Sequence, residues 1–354
     1  MKILFPCPSR DLFDNPFIDE LVLGLKNLRC KVCISIDEFW NNPNQYDIIH
    51  IQWPNAIFNF KAPTKVELNQ LEALLSSTTT PIVYTRHNEK PHYNNNENLI
   101  RCYQIIEKYA NCIIHLGEYN LEMLKKQYNY ALNIVIPHHI YENTYNNTIT
   151  KEQARSYLGI DQNKFVILTF GAYRDSEEAN MVLTAFKSSN IPQKILLAPS
   201  IGKILHLLIR RRYPIKWLIS EFKRLHLARK GIFYSKRFIP DSEVPFYFSA
   251  CDVVLIQRKN ILNSGNLPLA FYFSKPTIGP NRGNVGLILK QTHNYTFEPD
   301  QIKTLVKAID NAYQNRHNNL GRENYEYAKQ YFKLDLIAQM HKNIYNKLIV
   351  KDEY

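Results

Sequence analysis

No stretch of this 354-residue chain approaches the ~20 consecutive apolar residues that cross a bilayer. A secretory leader is missing too: Met1-Lys2-Ile3-Leu4-Phe5 is apolar, but Pro6, Pro8 and Arg10 end the run too early for an h-region. The expected location is therefore cytoplasmic, with at most peripheral attachment to the inner face of the plasma membrane. Cysteine forms no framework. The six thiols are scattered, which suits a reducing compartment, and Cys30-Lys31-Val32-Cys33 has no second Cys/His pair at zinc-like distance. Acidic residues are in short supply: 32 Asp and Glu face 44 Lys and Arg, giving a formal net charge of +12 and pointing to anionic partners. Helix-turn-helix, zinc-finger and RNP-like signatures are missing, which weighs against nucleic acid as that partner. No Asp-x-Asp occurs anywhere, so the usual carboxylate pair for holding a divalent ion against a diphosphate is lacking.

What is present is an alternation of strands and helices. Lys2 to Pro6, Lys31 to Ile36, Tyr46 to Ile51, Pro81 to Thr85, Cys112 to Leu116 and Asn133 to Pro137 read as strands, with helices at Phe17–Leu28, Val66–Leu75, Leu99–Tyr109 and Leu121–Gln127 between them. This is the pattern of βαβ units in a parallel sheet. Tyr141 to Ile149 breaks it with Asn, Thr and Tyr and reads as a connection, after which Thr150-Lys151-Glu152-Gln153 has the form of a capping box. The alternation then restarts with strands at Phe165–Phe170, Lys194–Ala198 and Gly231–Tyr234. Helices follow at Ile302–Tyr313 and Tyr325–Tyr345. The chain also exceeds the length at which one hydrophobic core stops growing. Two Rossmann-like domains are expected, 1–145 and 150–335.

The most informative stretch runs from Phe238 to Gly286. Asp252-Val253-Val254-Leu255-Ile256 reads as a buried parallel strand, and Leu267 to Ser274 as a helix stopped by Lys275-Pro276. Thr277-Ile278-Gly279-Pro280 follows as a second strand, ending in a Gly-rich loop, Asn281-Arg282-Gly283-Asn284. A helix that opens on Ser264-Gly265 presents unpaired backbone N–H groups beyond a strand's carboxyl edge, where α/β sheets seat phosphates.

Several local patterns, taken in order, resemble the GT-B glycosyltransferases, in particular family 4-like bacterial transferases of surface polysaccharide assembly. They are Asn15-Pro16-Phe17, His50-Ile51-Gln52-Trp53-Pro54, Thr85-Arg86-His87-Asn88 and Ile136-Pro137-His138 in the first half. In the second half they are Leu168-Thr169-Phe170-Gly171, Arg237-Phe238-Ile239-Pro240-Asp241, Ala250-Cys251-Asp252-Val253-Val254, and Ser264-Gly265 leading to Lys275-Pro276. The chain departs from many relatives, which carry two glutamates separated by seven residues where Ile261 and Leu269 stand. The family's Arg after the first glycine is Ala172 here, and its downstream Lys-Gly is Glu177-Glu178. The resemblance is thus to the subset with a Ser-Gly turn in place of the glutamate pair.

That resemblance implies two Rossmann-like domains facing across a cleft, with a C-terminal helix of about 336–354 packing back on the first, and transfer of a sugar from a nucleoside-diphosphate sugar to a glycan or lipid-linked acceptor in bacterial surface polysaccharide synthesis. The missing Asp-x-Asp favours a metal-independent site, with no cofactor beyond the donor substrate. Around the diphosphate the resemblance places Ser264, Gly265 and Asn266 with Arg174 and Arg258, and around the base Phe238 and Ile239. Fixed dipoles and cations aimed at a leaving phosphate are usually the largest catalytic term. His87, ending a strand, is expected beside the donor sugar as hydrogen-bond partner or base, since imidazole titrates near neutrality. Asp11, nearest the first strand's carboxyl edge, is the candidate carboxylate base, with Asp14 and Glu20 as alternatives.

The basic stretch from Lys203 to Arg237, interleaved with Leu, Ile, Trp and Phe, suits either solvated helices packed on the sheet or an amphipathic segment on anionic lipid. Three other functions compete: a binding-only relative without turnover, a sugar-nucleotide epimerase and a nucleic-acid-binding protein. The epimerase reading lacks the further glycines and acidic residues expected after Ser-Gly, where this chain has Asn266-Leu267-Pro268-Leu269.

Overall fold

The computed structural model describes residues 1–8, 16–88, 96–205, 214–235 and 237–350. They divide into two compact units, Met1–His139 with Tyr331–Tyr354, and Ile140–Gln330.

The sheet of the first unit comprises β1 (Lys2–Phe5), β2 (Lys31–Ile34), β3 (Ile48–Ile51), β4 (Ile82–Arg86), β5 (Cys112–His115) and β6 (Leu132–Val135). Its spatial order is β2-β1-β3-β4-β5-β6, with every pairing parallel. The second comprises β7 (Phe165–Leu168), β8 (Lys194–Leu197), β9 (Ile232–Phe233), β10 (Val253–Leu255), β11 (Thr277–Pro280) and β12 (Tyr295–Phe297), in the order β12-β11-β10-β7-β8-β9 and again parallel. Central strands such as β3, β4 and β7 are buried along their whole length, as a parallel sheet covered on both faces requires. Leu68, Leu71 and Ile106 pack on Ile49, Ile51 and Tyr84 in the first core. Val182, Phe186 and Ile309 pack on Ile167, Leu196 and Val253 in the second. Each such aliphatic side chain contributes about 1.5–3 kcal/mol by leaving water.

In both sheets the first strand lies inside. Its successor joins one side, and the chain then crosses to the other: β1 sits between β2 and β3, β7 between β8 and β10. Such a reversal leaves a crevice outside the strands' carboxyl ends, the place where open α/β sheets take ligands.

The helix Leu334–Val350 closes the first unit against the helix Pro16–Asn27. Gly24 permits this approach, since a Cβ there would stand 2.8 Å from the Cβ of Ala338. Lys342 Nζ donates to the Leu28 carbonyl at 3.1 Å, answering a carbonyl at the end of the partner helix.

Three local expectations are corrected. The single helix expected over Tyr325–Tyr345 is two helices, Leu320–Tyr331 and Leu334–Val350, because its halves serve different cores. The Gly-rich loop after β11 opens a helix, Gly283–Gln291. Gly283 takes φ +57°, and a Cβ there would meet the Ile261 carbonyl oxygen at 2.5 Å, so the residue is glycine for close backbone approach. The strand after Lys31 ends at Ile34, where Ser35 caps an unexpected helix, Ile36–Asn41.

Candidate functional site

At the β7/β10 crevice of the second unit, the chain leaves β7 through Thr169 and Phe170 into Gly171, whose φ of +83° turns the backbone sharply. Two amides hold that turn. Gln257, just past β10, donates from Nε2 to the carbonyls of Phe170 (3.1 Å) and Gly171 (3.2 Å), and Asn266 donates from Nδ2 to Phe170 O at 2.8 Å. Ser264, Gly265 and Asn266 are thereby gathered over the end of β7. The helix there is Asn266–Tyr272, with Gly265 at its N-cap in the αR region. The Ser264 hydroxyl accepts from the Asn266 N–H at 3.3 Å, so it serves the turn itself.

Arg174 and Arg258 join the same crevice through one carboxylate. Arg258 Nη1 pairs with Glu178 Oε2 at 2.7 Å, while the same oxygen accepts from the Arg174 backbone N–H at 2.9 Å. Arg174 Nη1 donates to the Asn260 carbonyl at 2.6 Å, and its guanidinium is held below its usual range by desolvation and by Arg258. Arg174 is exposed, while Arg258 is committed to Glu178. Phe238 and Ile239 lie in the segment after β9. Ile239 is buried, whereas Phe238 is 74% exposed and has no ring contact among the described residues.

In the first unit the strand ends carry imidazoles. His87, just past β4, stacks on Trp53 (centroids 4.4 Å, 20°) and meets Phe17 edge-on at 5.0 Å. His87 Nε2 stands 2.8 Å from Gln52 Oε1, and Gln52 Nε2 stands 3.0 Å from His50 Nε2. His50 reaches Thr85 Oγ1 at 2.8 Å through Nε2 and the phenol of Tyr345 at 2.6 Å through Nδ1. His139 stacks on Phe17 at 4.6 Å, with Nε2 donating to the Phe17 carbonyl at 3.0 Å.

Burial, followed by the field of His139, pushes His87 down to about 3. Burial likewise holds His50 and His138 well below the usual imidazole range and His341 at about 4. At neutral pH His87 is thus an uncharged ring suited to hydrogen bonding, rather than one titrating near 7 as expected of a free imidazole. Asp11 and Asp14 lie outside the described residues. Glu20 is buried beneath the helix Pro16–Asn27. Cys7, at the end of β1, is pushed up to about 12 by desolvation and then by Asp19, which keeps it a neutral thiol.

No protein-family model matches this sequence, and no curated protein matches it. Solved structures do. Sucrose-phosphate synthase from Thermosynechococcus elongatus superposes with a TM-score of 0.69 at 15% identity, over 99% of this chain and all of the other. HepE of Anabaena, solved in complex with UDP, gives 0.68 at 18% identity over 98% of this chain and all of its own. A glycosyltransferase from Rickettsia africae gives 0.68 at 14% over 98% of both chains. The fold is GT-B. At these identities the likeness establishes the two-unit α/β architecture of the GT-B fold, and the chemistry must be argued from this chain's own residues.

Some residues of the crevices carried weak signals or none. Gln257 directly follows an apolar strand and was legible only as that strand's last polar neighbour. Glu178 stood out in sequence as a departure, and it is the carboxylate that organises both arginines. Gln52 and Thr85 belong to motifs that drew notice for their histidines and aromatic residue. Tyr345, almost three hundred positions from His50, had no local signal.

Proposed function

We propose that the protein transfers a sugar from a nucleoside-diphosphate sugar, with the diphosphate seated at the β7/β10 crevice of the second unit. The observation that carries this reading is the convergence of Gly171, the Ser264-Gly265-Asn266 turn and Arg174 on one strand-end crevice, held there by Gln257, Asn266 and Glu178. Backbone N–H groups beside Gly171 and Gly265 and the charge of Arg174 suit a leaving diphosphate. In the first unit, neutral His87, held by Trp53 and Phe17, is suited to hydrogen-bonding a substrate hydroxyl. HepE, which shares the fold, has been solved with UDP-glucose. The chain has no Asp-x-Asp, and the reading uses helix-start dipoles and arginine in place of a divalent ion. The acceptor is a glycan or lipid-linked glycan of a bacterial surface polysaccharide. Gly265→Val tests the reading. Gly265 has an ordinary φ of −62°, so valine fits the backbone while crowding the N–H groups. Transfer should fall by roughly 100- to 1000-fold, the cost of one lost oxyanion-type donor. Unchanged nucleoside-diphosphate affinity and unchanged rate in a folded variant would place the diphosphate elsewhere. Absence of turnover with every activated sugar would leave a binding-only protein.

Attachment to an anionic membrane face is part of this reading, supported by the helix Pro214–Arg229. Ile215, Leu218, Ile219, Phe222 and Leu225 recur at spacings of three and four and are each 48–75% exposed, while Ser220 on the opposite side is buried. Lys216, Lys223 and Lys230 flank that apolar stripe. Flotation with phosphatidylserine vesicles should show binding that salt weakens and that Leu218→Glu with Phe222→Glu abolishes. Equal flotation of wild type and variant would refute the assignment.

A further inference from the structure

The crevice assigned above to the diphosphate already holds an anion, the carboxylate of Glu178. Glu178 is the third residue of the helix Ser176–Ser188, and the N-cap of that helix, Asp175, accepts the Glu178 N–H at 2.8 Å. A glutamate at this position usually returns to the N-cap amide. Glu178 reaches one residue further out. Its Oε2 accepts from the Arg174 backbone N–H at 2.9 Å and from Arg258 Nη1 at 2.7 Å. A backbone N–H of a strand-to-helix loop and a guanidinium are the donors that hold a phosphate oxygen at such a strand end. The Glu178 side chain is only 3% exposed, so water does not stand between these groups. The next two loop residues are strapped down beside it: Lys259 Nζ pairs with Glu177 Oε2 at 2.8 Å, and the Asn260 carbonyl accepts from Arg174 Nη1 at 2.6 Å. Across residues 172–178 and 257–260, Arg174, Arg258 and Lys259 stand against Asp175, Glu177 and Glu178, so the two loops carry no net charge.

We propose that the Glu178 carboxylate is a built-in competitor of the phosphate ligand: Oε2 fills the place of one phosphate oxygen, and binding requires Arg258 to exchange that carboxylate for phosphate. A guanidinium fork suits carboxylate and phosphate alike, so the exchange keeps Arg258 paired throughout. The carboxylate is tethered to the site and never diffuses away, which gives it the high effective concentration of an intramolecular partner. Its charge also opposes a second anion brought beside it where little water screens the two. The crevice is thereby set to hold a free diphosphate loosely, which suits a site that must release its leaving group after every transfer. The proposal rests on the placement of the diphosphate in the sugar-transfer reading, but its anion-binding part can be tested without a sugar.

The test is calorimetric titration of the full-length protein with inorganic pyrophosphate. Glu178→Gln keeps the shape of the side chain and an oxygen that can accept the Arg174 N–H, while removing the charge. It should tighten pyrophosphate binding by about tenfold. Glu177→Gln removes an equal charge from a carboxylate that is 72% exposed, and should change the affinity by less than about twofold because water and salt screen it. A second measurement needs no Glu178 variant. In 15N-arginine spectra of the wild type, the Arg258 guanidinium signal, assigned by its loss in Arg258→Lys, should move when pyrophosphate is added. Equal or weaker binding by Glu178→Gln, an equal gain from Glu177→Gln, or an unmoved Arg258 signal would overturn the proposal. Pyrophosphate binding to neither wild type nor Glu178→Gln would overturn it together with the placement of the diphosphate. Competition that is seen in a protein turning over no activated sugar would sink the sugar-transfer reading alone.

Discussion

Where β1 gives way to β3, the first unit gathers neutral imidazoles between aromatic rings; where β7 gives way to β10, the second gathers amides, bare backbone and two guanidinium groups around one carboxylate. Both sheets are parallel and reverse beside their first strand, in the order β2-β1-β3-β4-β5-β6 in the first unit and β9-β8-β7-β10-β11-β12 in the second, and their strand ends differ in what they exclude. Trp53, Phe17 and Tyr345 pack against the histidines of the first crevice, and burial keeps those rings uncharged. The second has Gly171 and the Ser264-Gly265 turn at its mouth and keeps Arg174 exposed, so it is suited to meeting negative charge. An open parallel sheet supports both because the fold decides only where strands end, while the residues just past those ends decide what is done there.

The contrast breaks most sharply at Arg155. This residue is 1% exposed and ties the helix Lys151–Leu158 to the second sheet. Nε donates to Ala250 O (3.0 Å), Nη1 to Lys164 O (3.0 Å), and Nη2 pairs with Asp252 Oδ2 at 2.8 Å. Arg155→Met leaves Asp252 without its buried partner and should cost about 3–5 kcal/mol. Hydrogen exchange should show the loss in β7 to β12 and little of it in β1 to β6; equal loss in both would mean that the two sheets unfold as one.

Acid should reverse the order. The depressed histidines, His50, His87, His138 and His341 among them, all belong to the first unit. Unfolding frees them to bind protons near pH 6.5, so stability is fully present above that pH and drains as pH falls toward the folded values. For buried His341, folded near 4, the loss between pH 6.5 and 4 is roughly 3 kcal/mol. Urea midpoints across that range, read by exchange in each sheet, should fall first for β1 to β6. A pH-independent first sheet would mean that these rings are protonated in the folded protein.

The smallest effect tests likeness. Among the described residues, each unit has one helix opened by a complete capping box: Thr64 with Glu67 in the first, Thr150 with Gln153 in the second. Thr64→Ala and Thr150→Ala should each cost about 1 kcal/mol. Denaturant midpoints that differ widely between them would show that one of these helix starts depends on contacts beyond its cap.

The capping box at Thr150 was legible because its four residues are consecutive and the hydrogen bonds are local. The same holds for the strands, whose β-branched runs between polar turns need no partner to be recognised. The break at Phe332-Lys333 was not legible. Helical periodicity runs on through it, and only the assignment of its two sides to different cores ends the helix. Of the candidate site, Ser264, Gly265 and Asn266 could be placed from their position after a strand. That Arg258 would be taken by Glu178, eighty residues away, could not.

By itself, the sequence determined the two α/β halves, their parallel strands and the polar turn beyond β10, because these depend on periodicity and on residues adjacent in the chain. The strand order, the return of the C-terminal helix to the first unit and the charge state of the histidines were decided by the tertiary structure. Desolvation belongs to a place rather than a residue type: His50 and His87 become neutral hydrogen-bonding rings only when distant segments close water away from them.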